Sequence, residues 1–96
     1  MAVAVVLEFP GATLEQYDEV IGKMGFTKGG PGGPGGLFHW VRAGDDGLVI
    51  TDVWQTREHF QTFADEKIGP ITAEVGLPGP PKITFYDVHN YLTAGE

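Results

Sequence analysis

Apolar residues fill Ala2–Phe9 almost without interruption until Pro10-Gly11, the pattern of a strand in the middle of a sheet and buried on both sides rather than alternating. Beyond that break the period becomes helical. Leu14, Tyr17, Val20, Ile21 and Met24 share one face, Thr13 and Gln16 have capping-box spacing, and Gly25 is placed to end the helix in the left-handed conformation. Lys28–Gly36, KGGPGGPGG, can sustain neither helix nor central strand and reads as a mobile connector or pocket lid. Leu37–Ala43 and Leu48–Trp54 are strand-like runs joined through Gly44-Asp45-Asp46-Gly47, which predicts a hairpin. In its first strand Phe38, Trp40 and Arg42 face one way, and Leu37, His39 and Val41 the other. Thr56 can then cap a helix from about Arg57, with Phe60, Phe63, Ala64, Ile68, Ile71 and Val75 as its buried stripe. Pro70 should kink or divide that helix near Gly69. After the connector Gly76–Pro81, a last strand is expected over Lys82–Leu92. It has Ile83, Phe85, Asp87, His89 and Tyr91 on one face and Thr84, Tyr86, Val88 and Asn90 on the other, followed by a short frayed tail, Thr93–Glu96.

The predicted order, β-α-β-β-α-β, is that of an α+β, ferredoxin-like antiparallel sheet with both helices on one face. Two helices leave the second face open. Residues such as Val49, Thr51 and Val53, or their alternates, would line it, so a homodimer formed through that face is expected. Residues 1–96 are read as one domain, with 28–36 as its Gly/Pro-rich loop.

Charge narrows the choice of partners. A formal net charge of -7 with only six scattered Lys and Arg argues against nucleic acid and against an anionic membrane surface. The chain has no cysteine, hence no disulfide or thiolate chemistry. MAVAVVLEF is too short for a signal peptide and lacks a basic leader, and no apolar run approaches the ~20 residues of a membrane span, so a cytoplasmic protein is expected. The glycine-rich stretch lacks the G-x-x-x-x-G-K-[ST] pattern, and its prolines lack the donors that a phosphate loop uses. Three histidines without H-x-H or H-x-x-x-H spacing offer no local ligand pair, so no metal site is expected.

Trp54, Thr56, Glu58, Phe60 and Phe63 form a W-x-[ST/D]-x-E-x-[LF] strand-to-helix junction, and Tyr86-Asp87-Val88-His89 closes the chain. On these residues and the element order the chain resembles the dimeric α+β barrel superfamily, which includes antibiotic biosynthesis monooxygenases, haem-degrading monooxygenases, polyketide-type cyclases and stress-responsive A/B-barrel proteins. The resemblance implies dimers formed by sheet-to-sheet packing and a mostly apolar small-molecule pocket between sheet and helices. There are departures from the pattern. Nine positions after the junction Trp, where the antibiotic-type enzymes commonly have His and the haem-degrading branch Trp, this chain has Phe63. Strand one has no Asn and 68–76 no His, which argues against haem degradation.

Candidate chemistry lies with few residues. His59, His89 and Asp52 are the candidates for acid–base work, and Tyr17, Trp54, Phe63, Tyr86 and His39 for lining a substrate pocket. Asp52 alternates with Ile50 and Trp54, so on a helix-covered face it would be a buried carboxylate needing a partner or a raised pKa. His39 and His89 could approach across the sheet or the dimer. Trp54 also reads as a core or rim aromatic, Tyr17 as a core tyrosine, and His59 as a surface residue beside the buried stripe. Three readings stay open: a cofactor-independent monooxygenase or cyclase acting on an aromatic or polyketide-like compound, a non-catalytic ligand-binding or stress-type barrel, and a barrel that binds haem through one axial His.

Overall fold

The N-terminal apolar run forms β1 (Val3–Pro10), and in the computed structural model, which describes residues 1–95, it pairs antiparallel on both sides. One neighbour is β3 (Gly47–Trp54), which continues the hairpin from β2 (Gly36–Gly44), and the other is β4 (Lys82–Asp87). The sheet order is β2-β3-β1-β4. With α1 (Leu14–Met24), α2 (Arg57–Phe63) and α3 (Gly69–Val75), this is the expected four-stranded ferredoxin-like α+β fold.

Burial along β1 differs from the expected pattern. Val3, Val5, Leu7 and Phe9 are buried, whereas Ala4, Val6 and Glu8 are only half-buried. The helices cover one side only, so even the central strand alternates. The covered side holds Val3, Val5, Leu7, Phe9, Leu48, Trp54 and Phe60, with Phe85 and Ile50 packed against them. Phe60 is fully buried, and its ring meets Trp54 and Phe85 edge-on at 5.8 and 5.6 Å. Register places Phe38, Trp40, Val49, Thr51, Val53 and Tyr86 on the other side, where Phe38, Trp40 and Tyr86 are exposed.

Helix ends follow the chemistry read from the chain. Thr13 and Gln16 form a reciprocal capping box, and Gly25 ends α1 at φ 83°. Leu14, expected on the apolar face, is exposed. Pro70 divides the second helix, but through a π-helical segment, Ala64–Ile68, rather than a bend. There the Gly69 N–H donates to the Ala64 carbonyl, five residues back, and the wider turn accommodates a residue that has no donor of its own. From this whole helical stretch only Phe60 is fully enclosed, so the expected stripe through Val75 is half-buried at its C-terminal end.

The final strand is shorter than expected. β4 stops at Asp87, and His89 and Tyr91 lie in the irregular segment beyond it. Thr93–Gly95 continues that segment without regular structure, while Glu96, the end of the expected tail, lies outside the described residues.

Candidate functional site

The hairpin turn fixes the central pair. Asp45-Asp46 is a two-residue connection with Gly44 opposite Gly47, so five residues back along β2 and five forward along β3 bring His39 opposite Asp52. Both side chains point to the helix-covered side. Asp52 is 5% exposed, and its two oxygens are used separately. Oδ1 accepts from His39 Nδ1 at 2.6 Å and Oδ2 from the Trp54 indole Nε1 at 3.1 Å. The expected buried carboxylate is thus satisfied by two donors, as burial of a charge requires.

Helix α1 supplies the third member. Tyr17, one turn beyond the Thr13 cap, reaches the edge strand, where its hydroxyl lies 2.5 Å from His39 Nε2 and its ring stacks on the imidazole with centroids 5.9 Å apart. Asp52 on Nδ1 selects the tautomer in which Nε2 carries the lone pair, so Tyr17 donates and His39 accepts. Burial above all, and then the negative charges of Asp52 and Asp18, push the Tyr17 phenol up from 10.0 to about 12. Trp54–Asp52–His39–Tyr17 is therefore a continuous line from the sheet interior to the half-exposed edge at β2. It keeps the phenol protonated and sets a proton acceptor directly behind it.

His59 belongs to a different neighbourhood. Thr56 caps α2 by accepting from the His59 backbone N–H at 3.1 Å, and the same hydroxyl lies 2.6 Å from His59 Nδ1. The imidazole lines a cleft of about 570 Å³, bounded by Met24, Phe26, Gly32–Pro34, Thr56, Glu58, Thr62, Phe63, Glu66 and Lys67. Phe63 stacks on Phe26 at 6.1 Å and touches the Trp54 ring at 5.2 Å, so Trp54 stands between the cleft and Asp52. The Gly/Pro-rich loop closes over this region. A Cβ on Gly35 would stand 2.5 Å from the His59 ring and one on Gly33 2.8 Å from Phe63, and the Gly35 carbonyl accepts from the Gln55 N–H at 2.8 Å.

The eight candidate residues thus divide. Tyr17, His39, Asp52 and Trp54 come together in one network, and His59 and Phe63 share the cleft. Tyr86 faces the open side of β4, and His89 lies past the end of that strand, at the sheet edge opposite His39, so the two histidines do not approach within the chain. Thr56 and Phe26 escaped the sequence reading as pocket residues. The cap position announced Thr56, whereas Phe26 carried no signal before the loop folded back. Among the described residues no three His, Asp or Glu side chains cluster as a metal site. His39 has both ring nitrogens engaged, so haem ligation there would require the network to break.

Fold and site together define an α+β protein whose sheet carries a hydrogen-bonded Trp54–Asp52–His39–Tyr17 network on its helix-covered side. No protein-family model matches the chain, and no curated protein matches its sequence. Solved structures do match. SnoaB of Streptomyces nogalater, a cofactor-independent oxygenase determined in a mutant form, superposes with TM-score 0.63 at 14% identity over 97% of this chain and 98% of that one. A Deinococcus radiodurans protein provisionally assigned as an antibiotic biosynthesis monooxygenase gives TM-score 0.61 at 15% identity over 100% of both chains. The chain has the fold of the antibiotic biosynthesis monooxygenase-like proteins, and at these identities the likeness is one of fold.

Proposed function

We propose that this chain is a small-molecule-binding barrel of one domain, acting as a cofactor-independent, monooxygenase-like enzyme on an acidic C–H or O–H of an aromatic, polyketide-like compound. The observation that supports it is the Tyr17–His39–Asp52 line. A phenol with a pKa near 12 is a poor free base. Its oxygen can still take a proton from a substrate as its own proton passes to His39 Nε2, the imidazolium then being held by Asp52. The substrate carbanion reacts with dioxygen, one oxygen ending as the product carbonyl and the other leaving as water. No metal or flavin is needed when the substrate itself is the electron donor. SnoaB, of like fold, is described as cofactor-independent.

Homodimerisation through the open face, in a cytoplasmic protein, completes this reading. Phe38, Trp40 and Tyr86, exposed by 56%, 46% and 58%, would be covered by a second copy. Among the described residues no helix is long and apolar enough to cross a membrane.

A second reading, a ligand-binding barrel without turnover, draws support from the packing under the sheet. Trp54, Phe60 and Phe85 fill with rings the space where the resemblance implies a pocket. Anthrone separates the two readings, because its activated methylene is oxidised to anthraquinone by this chemistry. Oxidation above the buffer rate that falls at least about a hundredfold in His39→Ala supports the enzyme. Equal rates for both proteins, with and without protein present, would discard it.

A further inference from the structure

We infer that the cleft between the Gly/Pro-rich loop and the outer side of α2 is a ligand site of its own, for an uncharged, largely apolar molecule bearing a hydrogen-bond acceptor. This goes beyond the proposed reaction and does not depend on the network. At about 570 Å³ the cleft lies within the range of small-molecule pockets, ~300–1,000 Å³. Its floor is Met24, Phe26 and Phe63. The Thr56 hydroxyl accepts the His59 backbone N–H and keeps one proton to give; donated to Nδ1, 2.6 Å away, that proton leaves the imidazole proton on Nε2. His59 thereby offers the cleft a donor, the reverse of His39.

Charge excludes the alternatives. Glu58 and Glu66 on the wall outnumber Lys67, and the chain carries -7 overall, so an anion is repelled. A cation would find its counter-charges, Glu58 and Glu66, only on the exposed wall, while the floor of Met24, Phe26 and Phe63 cannot solvate it. The loop is built to close on this wall. Gly33 and Gly35 approach Phe63 and His59 more closely than a side chain would allow, and Gly35 at φ 84° needs the left-handed conformation that glycine adopts freely.

The test uses 6-propionyl-2-dimethylaminonaphthalene, an uncharged apolar fluorophore with one carbonyl acceptor, titrated against the intact protein. Its emission should blue-shift on binding. Thr62→Trp, which fills the cleft from an exposed helix position, should abolish the shift. His59→Ala should weaken binding about five- to tenfold, the worth of one hydrogen bond, with partial recovery in His59→Gln, which restores a donor. Tyr17→Phe should bind as the parent does. A shift that survives Thr62→Trp, or that disappears instead in Phe38→Ser/Trp40→Ser, would place the dye on the open sheet face and overturn the inference. Equally tight binding of the anionic 1-anilinonaphthalene-8-sulfonate through the same cleft would overturn the ligand class. Anthrone turnover is read separately, so loss of one result leaves the other standing.

Discussion

His39 and His59 are the same side chain in opposite situations. His39 lies on an edge strand with a carboxylate on Nδ1, so its free lone pair is on Nε2 and faces a phenol. His59 lies in the first turn of a helix with a hydroxyl 2.6 Å from Nδ1 and lines a largely apolar cleft; when that hydroxyl donates, the ring proton is on Nε2. One is prepared to take a proton and the other to offer one. The difference comes from the partner at Nδ1: a carboxylate can only accept, whereas a hydroxyl that already accepts a backbone N–H has its own proton to give.

The largest effect that would break this contrast is loss of the carboxylate. Asp52→Ala leaves the His39 and Trp54 N–H groups without their acceptor beside a packed aromatic core, and should cost about 2–4 kcal/mol of unfolding free energy, measured by urea denaturation. A cost under about 0.5 kcal/mol, the level of a neutral surface change, would mean that the network does not hold the strands together.

Tyr17 gives the next effect, with a definite sign. Its folded pKa of about 12 lies above the ordinary 10.0, so between these values the unfolded chain has released a proton that the folded chain keeps. Stability is full below pH 10 and declines as pH rises towards 12. Tyr17→Phe should remove this part of the alkaline decline while preserving the melting temperature near neutrality to within a few degrees. A variant whose alkaline limb is unchanged would show that the phenol titrates normally.

The smallest effect is also the most direct comparison. Long-range nitrogen–proton correlation spectra should show His39 as the Nδ1–H tautomer and His59 as the Nε2–H tautomer. Thr56→Val should release His59 into a tautomer mixture, leave His39 unchanged, and cost about 1 kcal/mol through the lost helix cap. Identical tautomers in the parent protein would remove the distinction between the two sites.

How much of this was legible beforehand depends on the range of the interaction. The element order, both caps and the division of the second helix at Pro70 are local, and the chain carried their signals. The hairpin opposed His39 to Asp52 by simple counting from its glycines, and the alternation of β3 placed Asp52 with Trp54. Both contacts were available from period and register. The final strand was overextended to Leu92 because alternation continues past Asp87, where β4 no longer pairs with β1.

The sequence by itself determined the ferredoxin-like order, an open sheet face and the sharing of one face by Ile50, Asp52 and Trp54, because each follows from spacing along one or two neighbouring segments; that this face is the helix-covered one, which buries Asp52, was decided by the docking of the helices. Only the tertiary structure decided that Tyr17 meets His39, that the Gly/Pro-rich loop lies over His59 and Phe63, and that rings fill the space beneath the sheet. Those contacts join a helix to a distant strand and a loop to a distant helix. Such contacts depend on how elements dock, and no periodicity within a segment encodes the docking.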